Sequence, residues 1–391
     1  MKSIKVEARY AILEWLPELL CLLTDILIPM AFGLEGSVGG ISVVGCLLGA
    51  FSRLVGGLSG VCKKQAEKVG AEKRPAILGA LLLGGALSVL IATGLWLGRF
   101  LLEDLIGLAG IAEYLTYAPW YWLAFRLSVI CFIPLGVNEA KMAERVVLSW
   151  AVALLNMALT YYWVGVEGVS GSSKATLIST LPSLAVAAWW VYKLKLLKLP
   201  TAEVIKLVMP LFVKRVKGDS VAFLNTLTAI SLNSWMGAEI SLVWSLCHLT
   251  CDIAGGLGML LWGLGSKRLT FFVYGDGADE RFGWEEFRWA DNWALLIQLT
   301  GAVAGVIFVS PCAGVIVAAY AVSKRYTALV EAPASTASEE ARMTSKFIWS
   351  ISCIVGYWGT MLLCDPTISI PTIVYLTAAA ASTAYMREVL K

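Results

Sequence analysis

The sequence of 391 residues has few charged side chains and a single histidine. Charged residues make up 15%, whereas a soluble domain averages about 25%, and hydrophobic residues make up 58%. The mean hydropathy is +0.75. Water is therefore not the main solvent of this chain. The net charge of +3 is small and dispersed, so we expect no nucleic-acid partner.

Motifs for metal binding and catalysis are also lacking. The nine cysteines form no CxxC pair, and His248 is the only histidine, so we expect no metal site. The two long polar segments, 276–289 and 331–342, carry no catalytic or phosphate-binding pattern. We therefore expect that the protein is not an enzyme and that it uses no cofactor.

Long apolar stretches dominate what remains. They lack the alternation of a membrane β-barrel, and a helix of about 20 residues crosses a hydrocarbon core of ~30 Å. We predict an all-α polytopic membrane protein with about twelve transmembrane helices. The predicted spans are 9–33, 38–61, 75–98, 117–137, 146–165, 175–193, 204–230, 237–264, 290–309, 311–329, 343–363 and 368–386.

Lys and Arg indicate the orientation of these spans, because they accumulate in short cytoplasmic loops. With the N-terminus inside, only Arg99 and Lys174 fall in loops on the outer side. The basic segments 63–74, 193–198, 266–268 and 323–325 all fall on the cytoplasmic side. We therefore expect an integral protein of the plasma (inner) membrane with both termini in the cytoplasm.

An octet occurs twice in similar form, as RLVGGLSG at 53–60 and DIAGGLGM at 252–259. The similarity extends upstream at the same offset, where ISVVGCL at 41–47 matches ISLVWSL at 240–246. A repeat this long indicates a duplicated half. Glycine pairs in helices allow close approach of a neighbouring helix.

The duplication divides the chain at a basic, proline-containing connector, 194–203. The predicted N-lobe covers 1–193 with six helices, and the predicted C-lobe covers 204–391 with six more. Because each half has an even number of helices, both enter the membrane from the same side. We predict two lobes related by a pseudo-twofold axis along the membrane normal, with the substrate path between them.

Three acidic residues lie inside the first span: Glu14, Glu18 and Asp25. They fall within about 40° of one another around the helix. An ionisable group in a span costs roughly 2.5–3.5 kcal/mol on insertion scales, so this face must meet a cavity or partner charges. We predict a coupling-ion site there. Asp25 is its main member, because a buried carboxylate without a fixed cation can exchange a proton or sodium.

Basic residues inside spans suggest an anionic group on the substrate. Lys214 and Lys217 share a face of the seventh span with Asn225. We predict substrate binding by Lys214, Lys217, Asn225, Arg53 and Arg126. The repeat also aligns Glu14 with Lys214 and Arg53 with Asp252, so these charges could instead pair and fasten the two lobes.

The passage TDILIPMAFGLEGSVGGISVVG (24–45) resembles the first two helices of multidrug and toxic compound extrusion (MATE) transporters. Their usual pattern there is V-D-T-x-x-x-G, and Asp25 falls on the acidic residue of that pattern. NTLTAISLNSWMGAEISLV (225–243) repeats the passage with Asn225 at the equivalent position, and KKQAEKVGAEKR (63–74) occupies the site of the family's Q-x-x-G-A-G segment.

The resemblance implies a member of the multidrug/oligosaccharidyl-lipid/polysaccharide (MOP) flippase superfamily. It implies an ion-coupled secondary transporter that exports a small organic substrate by alternating access. A flippase or exporter of an anionic or lipid-linked substrate is the alternative, whereas a membrane-embedded enzyme or a passive channel fits the charges less well. We expect the lipid bilayer and a small-molecule or lipid-linked substrate as partners, and a monomer.

Overall fold

The computed structural model describes residues 16–69, 74–132, 139–193, 284–308, 339–363 and 369–389 apart from single positions, with isolated residues in 195–227 and 311–322. Helices account for nearly all of them, and no strand occurs in this described part. The chain forms two compact units, Leu20–Thr226 and Met1–Leu19 with Leu227–Lys391. The predicted lobe boundaries at 193 and 204 stay predictions.

The unit Leu20–Thr226 contains eight described helices. They are α1 (Leu19–Ala31), α2 (Glu35–Val69), α3 (Arg74–Leu97), α4 (Arg99–Ile106), α5 (Ile111–Tyr114), α6 (Ala118–Phe132), α7 (Glu139–Glu167) and α8 (Val169–Lys193). Helices α7 and α8 pack along each other, and α8 also packs against α6 and α5. Helix α8 therefore lies at the centre of this unit's described contacts.

The other unit contains α9 (Trp284–Phe308), α10 (Glu339–Leu363) and α11 (Ser369–Val389). Helices α10 and α11 form an antiparallel pair, in which a Cβ added to Gly356 would lie 2.8 Å from Val374. The described residues between 311 and 322 are mainly helical and pack on α9, because a Cβ on Gly314 would meet Val306 and Ala302.

The short helices α4 and α5 follow α3 through two sharp turns. Helix α4 is bent by 65° from α3. It ends at Gly107, which has φ 73° and donates its backbone N–H to the Glu103 carbonyl at 2.8 Å. This left-handed conformation favours glycine, which has no Cβ to clash with the following carbonyl. The chain can therefore reverse between α4 and α5 within a few residues.

Several helices are suited to a membrane. In the described residues, α2 over Glu35–Ser52, α7 over Val146–Glu167 and α8 are long and apolar enough to cross one, and α3 with α4 forms a fourth span if the bent pair is counted. Shorter apolar helices occur at Leu19–Ala31, Leu295–Ile307 and Phe347–Gly359. Large apolar side chains remain exposed on these helices, such as Leu90 at 71%. A surface of this kind is stable against lipid rather than water.

Two predicted spans lie within longer helices. The fifth, 146–165, matches the apolar stretch Val146–Glu167 of α7, which begins at Glu139, and the sixth, 175–193, lies within α8, which begins at Val169. The loop predicted at 99–116 contains α4 and α5. Apolar length marks only the part of a helix that matches the hydrocarbon core, so polar helical turns at its ends escape detection. The seventh and eighth predicted spans lie largely outside the described residues.

Candidate functional site

Asp25 lies in α1 and is half-buried. Its Oδ1 accepts a hydrogen bond of 2.9 Å from the Ser172 hydroxyl, and Ser172 is fully buried near the start of α8. No ion pair joins Asp25 to another described residue. The bond therefore links α1 to α8 through a carboxylate whose charge no described cation neutralises.

The backbone around Asp25 adds a second acceptor. Pro29 lies within α1, four residues after Asp25. Proline has no N–H, so it cannot make the helical hydrogen bond to the Asp25 carbonyl. The hydroxyl of the preceding residue bonds within its own helix, because Thr24 Oγ1 donates to the Leu20 carbonyl at 2.7 Å. Asp25 thus presents carboxylate and carbonyl oxygens, the kinds of ligand that hard cations prefer.

Two tyrosines form another polar contact between helices of this unit. The hydroxyls of Tyr114 on α5 and Tyr121 on α6 are 3.5 Å apart, and their ring centroids are 6.4 Å apart in an edge arrangement. The tyrosine pair therefore joins α5 to α6, and the Asp25–Ser172 bond joins α1 to α8.

A buried amide on α7 packs against the face of α8 that carries Ser172. Asn156 on α7 is fully buried, and its Oδ1 accepts hydrogen bonds from Ser179 at 3.3 Å and from Thr160 at 3.5 Å. Ser179 follows Ser172 by two helical turns, so both project from one face of α8. Asn156 Nδ2 has no hydrogen-bond partner. The α7–α8 interface is therefore polar for two turns beyond the residue that binds Asp25.

An ion pair closes the turn between α7 and α8. The Lys174 ammonium contacts the Glu167 carboxylate, and it also lies 3.5 Å from the Trp163 ring centroid. Both charged side chains are partly exposed, at 22% and 29%. Lys174 is thus a residue of the second turn of α8, not of a loop, and its charge is matched by Glu167.

The structure describes only some of the other predicted site residues. Arg126 lies on α6 with its guanidinium 5.6 Å from the Phe125 ring centroid. Arg53 lies in α2, but its side chain lies outside what the structure describes. The remaining predicted site residues lie outside the described residues: Glu14, Glu18, Lys214, Lys217 and Asn225. Of the predicted set, the structure therefore gives the surroundings of Asp25 and Arg126 only.

Sequence reasoning missed Ser172, Asn156, Tyr114 and Tyr121. One signal was available, since the run SGSSKATLIST (170–180) concentrates small hydroxyl residues at the start of α8. Such residues are enriched where membrane helices pack closely and bond to each other. In the described part of the chain, no group of three His, Cys, Asp or Glu side chains could hold a metal ion.

Comparisons with known proteins find similarity in structure but not in sequence. No family model matches the chain, and no curated protein matches it in sequence. The fold is similar to that of the lipid II flippase MurJ in an inward closed conformation, with a TM-score of 0.65 and 16% identity over 97% of this chain and 87% of that one.

Two further structures are similar over almost the whole chain. A mutant of the Vibrio cholerae MATE transporter VcmN gives a TM-score of 0.60 and 15% identity over 100% of this chain and 98% of that one. A MOP superfamily transporter from Pyrococcus furiosus, for which a reverse polarity of the binding pocket suggests a different function, gives 0.57 and 14% over 99% and 95%.

These similarities show the fold. The chain has the polytopic all-α fold of the MATE transporters and of MurJ, which are MOP superfamily members. The predicted resemblance is confirmed at this level, and so is the predicted fold class. The chain is therefore an integral membrane protein.

Proposed function

We propose that the chain is an ion-coupled secondary transporter that exports a small organic substrate by alternating access. The observation that carries the proposal is the Asp25 carboxylate, which bonds to Ser172 across two helices and has no described counter-ion. An ionisable group kept inside a membrane helix is costly and is usually functional. The similarity to transporters and a flippase over the whole chain supports the same class.

The coupling step uses the Asp25–Ser172 bond. A proton on Oδ1 turns that oxygen into a hydroxyl, which can donate and is a weaker acceptor than a carboxylate oxygen, so the bond from the Ser172 hydroxyl is weakened. A sodium ion at the carboxylate would instead compete for its lone pairs. Either ion changes the contact between α1 and α8, and a ligand shifts a conformational equilibrium only through such a difference in contacts. Glu14 and Glu18 extend the proposed coupling-ion site.

The substrate site is proposed at Lys214, Lys217, Asn225, Arg53 and Arg126. The positive charges of the four basic residues favour the second candidate function, a flippase or exporter of an anionic or lipid-linked substrate. MurJ is a lipid II flippase, and the Pyrococcus protein has a pocket of reverse polarity. In both cases we propose a monomer in the plasma (inner) membrane, with cytoplasmic termini and no enzymatic activity.

Transport into proteoliposomes tests the function. A panel of one organic cation, one organic anion and one lipid-linked sugar is assayed under imposed proton and sodium gradients. We expect flux of one class that follows one gradient, and its loss by at least tenfold in Asp25→Asn, because the amide is similar in size but cannot ionise.

The matched control for this variant is Asp104→Asn, which makes the same change at an exposed position on α4. It should transport at the parental rate. Parental gradient-driven flux in Asp25→Asn would contradict the coupling role of Asp25. Flux of no substrate under any gradient, from protein that elutes as a single folded species, would contradict the transporter itself.

A further inference from the structure

Phe32 directly follows α1, and its backbone is fixed by the way that helix ends. The Leu34 N–H donates to the Pro29 carbonyl at 3.0 Å. The Gly33 N–H donates to the Met30 carbonyl, also at 3.0 Å. Gly33 has φ 76°, so the two bonds form a Schellman motif, in which a left-handed glycine ends the helix. The end of α1 therefore sets the direction in which the Phe32 side chain projects.

The Phe32 ring lies in a notch on the surface of α7. The notch is formed by Tyr161 and Gly165, which are one helical turn apart. The ring centroids of Phe32 and Tyr161 are 5.4 Å apart, and their planes meet at 61°, an edge arrangement that aromatic pairs favour. A Cβ on Gly165 would lie 3.2 Å from Phe32 Cε1. The ring therefore occupies the space that a side chain at Gly165 would fill.

Phe32 and Asp25 lie on the same face of α1, because they are seven residues apart and seven residues make about two helical turns. Asp25 accepts its hydrogen bond from Ser172 on α8, whereas Phe32 packs on α7. Helices α7 and α8 pack along each other. One face of α1 is therefore attached at two points to one pair of helices.

Between these two points, α1 lacks one of its own hydrogen bonds. Pro29 has no N–H to donate to the Asp25 carbonyl, so the backbone of α1 alone does not fix the angle between the parts before and after the proline. Contacts with other helices must fix it. The described contacts are the Asp25–Ser172 bond before Pro29 and the Phe32 ring after it. Loss of the ring should therefore let α1 shift and weaken the Asp25–Ser172 bond.

We propose that Phe32 is a positioning residue for Asp25: its ring, held against Tyr161 and Gly165, keeps α1 where the Asp25 carboxylate accepts the hydrogen bond from Ser172. This inference rests on the proposed function. A proton or a sodium ion competes with that bond for the lone pairs of the carboxylate. A firmer bond therefore raises the ion concentration that is needed to load the site, and Phe32 sets that concentration from two turns away.

Ser172 is the one hydrogen-bond partner described for the Asp25 side chain. The other described titratable groups on α1 and the helices around it have positions or partners of their own: Cys21 lies one turn before Asp25, Glu35 is exposed at the start of α2, Tyr114 and Tyr121 bond to each other, Tyr161 and Tyr162 are exposed on α7, Lys174 pairs with Glu167, and Lys193 lies at the exposed end of α8. We therefore expect Phe32 to act on the carboxylate through Ser172.

The first test compares Phe32→Ala, Phe32→Tyr and Leu27→Ala in proteoliposomes. Initial transport rates are measured against the concentration of the coupling ion, at several substrate concentrations. Phe32→Ala should lower the ion concentration at half-maximal rate by about threefold, which for a proton is about 0.5 unit towards higher pH, because one hydrogen bond changes an equilibrium by about this factor. The substrate KM should remain parental.

Two variants should keep the parental ion dependence. Phe32→Tyr retains the ring, and its hydroxyl can remain outside the notch, because Phe32 is 40% exposed. Leu27→Ala is the matched control, since it removes a side chain from the same helix at a position that is 57% exposed. Parental ion dependence in Phe32→Ala, or a shift towards higher ion concentration, would overturn the inference.

Ser172→Ala distinguishes positioning from general loosening of the helices. It removes the bond itself, so it should shift the ion dependence in the same direction, and Phe32→Ala added to it should cause no further shift. Additive shifts in this double-mutant cycle would contradict action through Ser172. Parental gradient-driven flux in Asp25→Asn would instead contradict the proposed function.

If Phe32→Ala or Ser172→Ala does not transport, unfolding midpoints in detergent replace the rates. They are measured for Phe32→Ala, for Asp25→Asn and for the double variant. A combined loss smaller than the sum of the two single losses supports the inference, because the two side chains then act on one contact. Additive losses would show that the ring stabilises the fold without positioning Asp25, and would overturn it.

Discussion

Two antiparallel helix pairs, α7–α8 and α10–α11, bury polar groups in different ways. The α7–α8 pair buries the Asn156 amide and carries the Lys174–Glu167 ion pair at its turn. In the α10–α11 pair, the buried polar side chains described are hydroxyls only: Ser345, Ser350, Ser382 and Thr383. The first pair contains Ser172, the residue that binds Asp25.

The difference lies in where the partners come from. A hydroxyl on a helix can bond to its own backbone, as Ser382 does with the Ala379 carbonyl at 3.1 Å. The Asn156 carbonyl instead accepts from Ser179 on the neighbouring helix. Bonds between helices fix their register, whereas bonds within a helix do not. The α7–α8 pair is therefore built to hold Ser172 at one height relative to α7.

Backbone packing shows the same contrast. A Cβ on Gly171 would lie 2.2 Å from the Trp163 carbonyl oxygen, which is a backbone atom that cannot turn aside. A Cβ on Gly356 would lie 2.8 Å from Val374 Cγ2, which is the end of a side chain. The contact between α7 and α8 is thus closer and less tolerant than the contact between α10 and α11.

Gly171→Ala is expected to lower the free energy of unfolding more than the other substitutions. The added methyl forces the start of α8 away from α7, and we expect a loss of about 3 kcal/mol, the upper end of typical overpacking costs. Gly356→Ala should cost about 1 kcal/mol, because Val374 can rotate. Unfolding midpoints in detergent measure both.

The control for these variants is Gly359→Ala on α10, where a Cβ would meet nothing within 4 Å. It should be neutral or more stable by up to about 1 kcal/mol, the usual gain of Ala over Gly within a helix. Equal losses in Gly171→Ala and Gly356→Ala would show that the two helix pairs do not differ in packing tolerance.

Asn156→Ala should lower the free energy of unfolding by an intermediate amount. It removes the acceptor for Thr160 and Ser179 and leaves a small cavity, so we expect a loss of about 2 kcal/mol. Ser382→Ala in α11 should cost less than about 1 kcal/mol, because the hydroxyl bonds within its own helix. Thermal unfolding of the two variants in the same detergent checks the ranking, and a larger loss in Ser382→Ala would reverse the interpretation.

Lys174→Met should lower the free energy of unfolding the least. A partly exposed ion pair contributes about 0–1 kcal/mol, and the contact with the Trp163 ring about 0.5–1 kcal/mol. We expect a loss of about 1 kcal/mol that shrinks when salt is raised to about 1 M, where charges are screened within about 3 Å. Lys193→Met is the control, because the Lys193 ammonium lies 5.1 Å from the Trp190 ring centroid at the exposed end of α8 but forms no described ion pair, so its smaller loss should not change with salt. A loss that is independent of salt would indicate packing rather than charge.

The sequence predicted some parts of the site and not others for a physical reason. Asp25 was predictable, because a carboxylate inside an apolar span is unusual by itself and needs no knowledge of neighbours. Its partner Ser172 is separated from it by 147 residues. Serine is common in membrane helices, so nothing in the local sequence distinguishes Ser172 from Ser173 or Ser179. Only the packing of α8 against α1 selects it.

Sequence by itself determined the all-helical membrane class and the positions of the apolar stretches in α2, α7 and α8, because a hydrocarbon core demands long apolar helices whatever their neighbours. It also determined where an ionisable group enters a span. The tertiary structure decided what surrounds that group. Helices α4 and α5 are too short for a periodic pattern, yet contacts with α2 and Glu103 place Tyr114 beside Tyr121. Contacts between distant residues depend on how whole helices pack, and local propensity carries no information about that packing.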